Sequence, residues 1–140
     1  MSEVPGKFLP PPTPLSKPFW DACNRKELII QQCSACGRHQ FYPRSFCTEC
    51  GHAKPQWVPA SGRGTVVTWT IVRRPVSEAY AAGTPYVIAL IRLAEGPVMM
   101  SQITGCDPER VRTGMSVEVV FQPWGDGVTV PNFTPGDSQA

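Results

Sequence analysis

Two pairs of cysteines carry the strongest chemical signal in this chain: Cys33-Ser-Ala-Cys36-Gly and, ten residues on, Cys47-Thr-Glu-Cys50-Gly. A knuckle of this kind must turn two thiolates onto one ion, and Gly37 and Gly51 let the turn tighten with amides facing sulfur. Four thiolates close a tetrahedral shell that suits zinc and leaves no coordination position for a substrate. The expected site is therefore structural, with one Zn²⁺ on Cys33, Cys36, Cys47 and Cys50; a single iron is the alternative that four thiolates allow. Cys23 and Cys106 stand outside the motif and read as small buried hydrophobes. The only histidines, His39 and His52, flank the knuckles, so Cys106 has no histidine set aside as a base. No nucleophile elbow, phosphate loop or dinucleotide fingerprint is present, and the carboxylates are scattered. No catalytic residue is expected.

The elements around the cysteines divide in two. Residues 1–30 begin with prolines, among them Pro10, Pro11, Pro12 and Pro14, that favour an extended arm. Phe8, Leu9 and Leu15 give that arm something to bury, on a partner or on the body of the protein. A short helix fits 17–26, with Ser16 as N-cap and Phe19, Trp20 and Cys23 on one face. That face serves either the core or another subunit. A strand at 28–32 leads into a ribbon over 31–58, which is too small to fold on apolar burial alone. From 61 to 136 the texture changes to β-branched runs: TVVTWTIVR, YVIALIRL, PVMMSQIT, SVEVVFQ and GVTV. Five short strands hide their edges best by closing into a small barrel. A helical turn at 107–111 falls between the third and fourth, which points to an OB-fold. The fold class is mainly β: an N-terminal helix, a rubredoxin-like zinc ribbon and a five-stranded OB-fold barrel.

Composition agrees with a globular chain of one domain's length, 140 residues with 41% hydrophobic. No apolar run reaches the ~20 residues of a membrane span, and the start lacks a signal-peptide core, so the expected location is cytoplasmic. The net charge of +2 is distributed as eight basic against four acidic groups in 1–63 and five against seven in 64–140. Zinc with four thiolates carries −2 and cancels the surplus. A barrel of net −2 is a poor surface for phosphate neutralisation. A single-stranded nucleic-acid module, to which ribbons and OB-folds both lend themselves, is therefore the second reading. Arg63, Arg73 and Arg74 could still meet isolated phosphates.

The series FWDAC, LIIQQCSACGRHQFYPRSFCTECG, SGRGTVVTWTIV, PYVIALIRLAEGPVMMSQITG and GMSVEVVF resembles a family of zinc-ribbon plus OB-fold proteins associated with acyl-CoA metabolism, once catalogued as a domain of unknown function. The resemblance covers roughly 13–136. It implies an accessory subunit, not an enzyme on its own, held in a hetero-oligomer (a heterotetramer is favoured) with a thiolase-like, aldolase or hydratase partner that carries the catalytic residues. It implies CoA or acyl-CoA as a shared ligand, with Arg63, Arg73 or Arg74 on its phosphates and Trp69 or Phe133 along the pantetheine or adenine path. Phe19 and Trp20 would dock the partner. No nucleic acid and no membrane are implied.

Overall fold

The structure is a computed structural model that describes residues 11, 13–75, 77–125 and 127–136. Most of the expected proline-rich arm, residues 1–10 and 12, lies outside the described residues. The first element is the helix α1, Lys17–Asn24. It ends two residues earlier than expected, because Lys26 turns to φ 62° and reverses the chain. Ser16 does not cap the helix with its side chain. Its hydroxyl and that of Thr13 bond each other and each other's backbone N–H instead, closing a turn ahead of α1.

The ribbon sheet has three antiparallel strands in the order β2-β1-β3: β1 Ile29–Gln32, β2 His39–Gln40 and β3 Gln56–Pro59. The sequence marks β1 alone. The pair β2 is too short to show a pattern, and Pro55 and Pro59 make β3 look like a connector.

The barrel comprises β4 Arg63–Val72, β5 Tyr86–Leu93, β6 Val98–Ile103, β7 Ser116–Gly125 and β8 Val128–Pro135. It closes in the order β4-β5-β6-β8-β7, with β4 and β7 sealing the ring from Arg63↔Glu118 to Thr65↔Ser116. The approach of β5 to β4 needs Gly64, where a Cβ would sit 2.7 Å from the carbonyl oxygen of Arg92. Short 3₁₀ turns at Glu78–Gly83 and Pro108–Arg110 fill the longer loops. The second matches the helical turn expected between the third and fourth barrel strands.

β8 runs five residues past the expected end. Pro131 reads as a strand terminator in sequence, but it pairs with Phe121 on β7 while β8 meets β6 at only one position, Ile103↔Phe133, in parallel. The side of Pro131 that lacks an N–H thus faces a seam where few ladder bonds are called for. Its carbonyl is satisfied there by the Ser101 hydroxyl at 2.8 Å.

Helix, ribbon and barrel share one core. Phe19, Cys23, Leu28 and Ile30 belong to the same buried cluster as Val66, Ile91, Val117 and Phe133. The boundaries 1–30, 31–58 and 61–136 expected from sequence cut through β1 at Ile30 and through β3 at Val58, and the apolar packing is continuous across them.

Candidate metal centre and apolar groove

The two knuckles are built alike. In the first, Gly37 N–H bonds Cys33 O at 2.9 Å, and Cys33 N–H bonds Arg38 O at 2.9 Å. In the second, Gly51 N–H bonds Cys47 O at 2.9 Å, and Cys47 N–H bonds His52 O at 2.8 Å. Both glycines take positive φ, 78° and 80°, the conformation the sequence reading asks of them. Amides of Ala35 and Cys36 point at Cys33 Sγ (3.3 and 3.4 Å), and those of Glu49 and Cys50 at Cys47 Sγ (3.3 and 3.5 Å). These donors stabilise thiolate. They pull the Cys33 thiol down to about 6, chiefly through the Cys36 N–H, against the opposing effect of desolvation. The Cys47 thiol is lowered likewise, first by the N–H of Cys50.

The four sulfurs lie within 4.8 Å of one another. Across the two knuckles, Cys33 and Cys50 approach to 3.6 Å and Cys36 and Cys47 to 3.7 Å. A tetrahedron of ~2.3 Å Zn–S bonds sets sulfur–sulfur edges of about 3.8 Å, which the two cross-knuckle distances match. His39 lies in β2 and His52 contributes its carbonyl to a knuckle. The candidate ligand set among the described residues is Cys33, Cys36, Cys47 and Cys50.

The model of the rubredoxin-like zinc ribbon domain of ChsH2 matches residues 20–55, and that of the ChsH2 C-terminal OB-fold domain matches 57–122. A DUF35 domain-containing scaffold protein of Pyrococcus furiosus is 38% identical over 102 residues, which are 73% of this chain and 74% of the relative. The chain belongs to the DUF35 family. The 3-oxo-4,17-pregnadiene-20-carboxyl-CoA hydratase alpha subunit of Mycobacterium tuberculosis is 34% identical over 74% of this chain, but these residues span only 32% of that longer protein. Among solved structures, a chain of the Ltp2-ChsH2(DUF35) aldolase superposes with a TM-score of 0.82 at 28% identity, covering 90% of this chain and 98% of that one. A DUF35-family protein of Sulfolobus solfataricus shares the fold, with a TM-score of 0.64 at 21% identity over 88% of this chain and 86% of its own. A zinc ribbon followed by an OB-fold barrel is thus the architecture of the family, as the sequence indicates.

The other candidate residues of this DUF35 chain scatter. Arg63 begins β4 and Arg73-Arg74 follow its end. Nine strand residues lie between Arg63 and Arg73, about 30 Å along the strand, so the two groups cannot hold one pyrophosphate together. Arg73 is already ion-paired with Glu109. Trp69, in the middle of β4, is half-buried and packs against the core cluster. Phe133 is 0% exposed and fills the barrel interior, so it cannot line a ligand path. Phe19 is also withdrawn from any docking role: it is 5% exposed and meets Trp20 and Phe41 edge-on at 4.9 and 5.3 Å. Trp20 remains half-buried at the surface.

Trp20 opens onto a feature that the sequence reading misses, an apolar groove of about 500 Å³ at the junction of α1, ribbon and barrel. Its walls include Trp20, Tyr42, Tyr80, Tyr86, Met100 and Trp124. These come from five separate stretches of chain, so no local pattern announces them. Tyr42 is placed by Gln31, which is buried on β1. The Gln31 amide donates to Arg44 O at 3.0 Å, and its oxygen accepts from Arg44 N–H at 2.8 Å and from the Gln40 amide at 2.7 Å. The loop so anchored sets the Tyr42 hydroxyl on the β6 edge, where it accepts from Met100 N–H at 3.3 Å.

Proposed function

We propose that this chain is a non-catalytic accessory subunit of a cytoplasmic acyl-CoA-processing complex, with a thiolase- or aldolase-type partner that supplies the reacting groups. One observation carries the reading: nearly the whole chain superposes on a chain of the Ltp2-ChsH2(DUF35) aldolase, with a TM-score of 0.82. The chemistry agrees. The four clustered cysteines are arranged as a closed set of metal ligands. Zinc bound there supplies folding free energy, not reactivity.

The chain stabilises the partner and lends surface to the CoA site within a hetero-oligomer, a heterotetramer in the simplest form. Arginine at one end of β4 contacts CoA phosphate, through Arg63 or through Arg73 and Arg74, since guanidinium binds phosphate bidentately. Coexpression of the chain with candidate thiolase-like subunits tests the assembly, which should copurify as a stable complex. Alanine at Arg63, and separately at Arg73 and Arg74, should raise the KM for acyl-CoA of that complex at one end only. If neither set changes KM, the phosphate role falls. If no acyl-CoA enzyme is retained, the accessory role falls with it.

A further inference from the structure

The barrel is apolar on a face where its strands should be polar. β5 buries Val87, Ala89 and Ile91 inside, each at 1% exposure or less. A strand with one face on the core is expected to alternate with polar residues. The alternate positions of β5 are instead Tyr86, Ile88 and Leu90, and across from Leu90 and Ile88 on β6 stand Met100 and Gln102. Met100 is 57% exposed. Tyr86, Ile88 and Met100 belong to the lining of the groove of about 500 Å³, with Trp20, Tyr42 and Trp124. None of the described residues that line it is charged.

We propose that this groove holds the acyl group of an acyl-CoA, and that the acyl group is a long chain or a ring system. The inference rests on the acyl-CoA reading above and names its substrate class. Charge decides the occupant. The acyl group is the uncharged, apolar end of such a molecule, whereas the nucleotide end carries phosphates. An uncharged aromatic lining accepts the first and offers the second no counter-charge. The volume lies within the roughly 300–1,000 Å³ of small-molecule sites. A two-carbon acyl group leaves most of it unfilled and forfeits the contacts of the walls. Polarity at the surface agrees. The Tyr42 hydroxyl is part of an exposed residue, accepts from Met100 N–H at 3.3 Å and donates to none of the described residues. Its hydrogen is available to a ligand carbonyl.

The register of the barrel also chooses between the two arginine sites. Val72 on β4 pairs with Tyr86, a lining residue, and Arg73-Arg74 directly follow Val72. Arg63 lies at the other end of β4, where Gly64 pairs with Leu93. Arg73 is held by Glu109, whereas Arg74 makes no ion pair among the described residues. With the acyl group in the groove, the phosphates leave past Tyr86 toward Arg74, whose guanidinium suits them.

The test titrates the intact zinc-loaded chain, with ¹³C-labelled methionine methyls, with CoA, butyryl-CoA and octanoyl-CoA below micelle-forming concentrations. Met99 and Met100 line the groove, whereas Met115 lines a different cavity. Octanoyl-CoA should shift Met99 and Met100 saturably and leave Met115 in place, and CoA alone should move none of them. Each added methylene should tighten binding about fourfold, so octanoyl-CoA should bind on the order of a hundredfold tighter than butyryl-CoA. Met100→Glu, with zinc content and circular dichroism unchanged, should weaken octanoyl-CoA roughly tenfold or more, read on Met99. Arg74→Ala should weaken octanoyl-CoA severalfold and leave octanoyl-pantetheine unchanged; equal effects on the two would overturn the phosphate contact. Groove methyls that do not shift, or an affinity indifferent to chain length, overturn the acyl site. Octanoate binding as tightly as octanoyl-CoA would make the groove a fatty-acid site and overturn it as well. So would a copurified complex in which the partner shifts Met100 and octanoyl-CoA no longer reaches it, because the groove would then be the partner's docking surface. Retention of an acyl-CoA enzyme is scored separately. A chain that keeps its enzyme but fails the titration loses only the acyl site, and one that passes without any enzyme loses only the accessory role.

Discussion

Replacing Phe19 with alanine separates a core residue from an interface residue, and the structure gives the size of the effect. The ring is 5% exposed and touches Trp20 and Phe41 edge-on. A buried aromatic side chain removes on the order of 200 Å² from water. At ~25 cal/mol per Å² that is about 5 kcal/mol, an upper figure because the unfolded chain already buries part of it. Truncations of this kind cost about 3–5 kcal/mol, and the expectation here is about 4 kcal/mol. For 140 residues the unfolding entropy is near ~0.3 kcal/mol/K, so Tm should fall by about 13 °C. Urea titrations with saturating zinc, followed by far-UV circular dichroism and by tryptophan fluorescence, measure it. Both probes should shift together, since Phe19 shares a cluster with ribbon residue Ile30 and barrel residue Phe133. A loss below about 1 kcal/mol would refute the shared core and return Phe19 to the partner surface. Two separated transitions would show instead that the lobes unfold independently.

Cys36→Ser removes one of four ligands from a shell whose metal supplies folding free energy of order 10 kcal/mol. That exceeds what a ribbon of this size gains from burial, so the variant should lose zinc and ribbon structure. Full zinc content by elemental analysis with an unchanged dichroism spectrum would contradict this. Burial pushes the Cys23 thiol up from 9.0 to about 12. In the folded protein it should therefore resist alkylation at about pH 8 and react only on unfolding, because the thiolate is the nucleophile. Mass spectrometry of the alkylated native protein checks this. A thiol whose pKa is raised by folding contributes stability below its unfolded pKa, and that contribution is lost as pH rises from about 9 toward about 12.

The residues legible in sequence are those whose function is local. The knuckles repeat within eighteen residues, and the turn each needs is written in the glycine after it. The barrel strands show as β-branched runs because each must bury one face. What stays hidden depends on partners far along the chain. Phe133 and Trp69 look alike as aromatic candidates, and only the closure of the barrel shows that the first is wholly inside. Arg73 reads as a free cation at the end of a strand, and only the fold shows it paired with Glu109. Gln31 passes as an ordinary polar strand residue, yet it is buried and holds the loop that carries Tyr42.

That last connection explains why a structural metal matters to a surface some distance from it. Cys33 directly follows β1, and β1 carries both Gln31 and the pairing with β2, Gln31↔Gln40. The second knuckle holds Thr48, whose N–H bonds the Gln40 side chain at 3.0 Å. Gln40 in turn donates to Gln31, and Gln31 grips Arg44 on both sides of its peptide chain. Phe41 and Tyr42 lie between these two anchors. Tyr42 then meets β6 through Met100, close to the seam where β6 and β8 pair at a single position. An OB barrel left open at that seam exposes unpaired strand edge. Zinc, by fixing the two knuckles, fixes the loop that covers part of it. The ribbon therefore serves the barrel as a brace whose rigidity comes from metal, and the aromatic groove exists only while that brace holds its near wall in place.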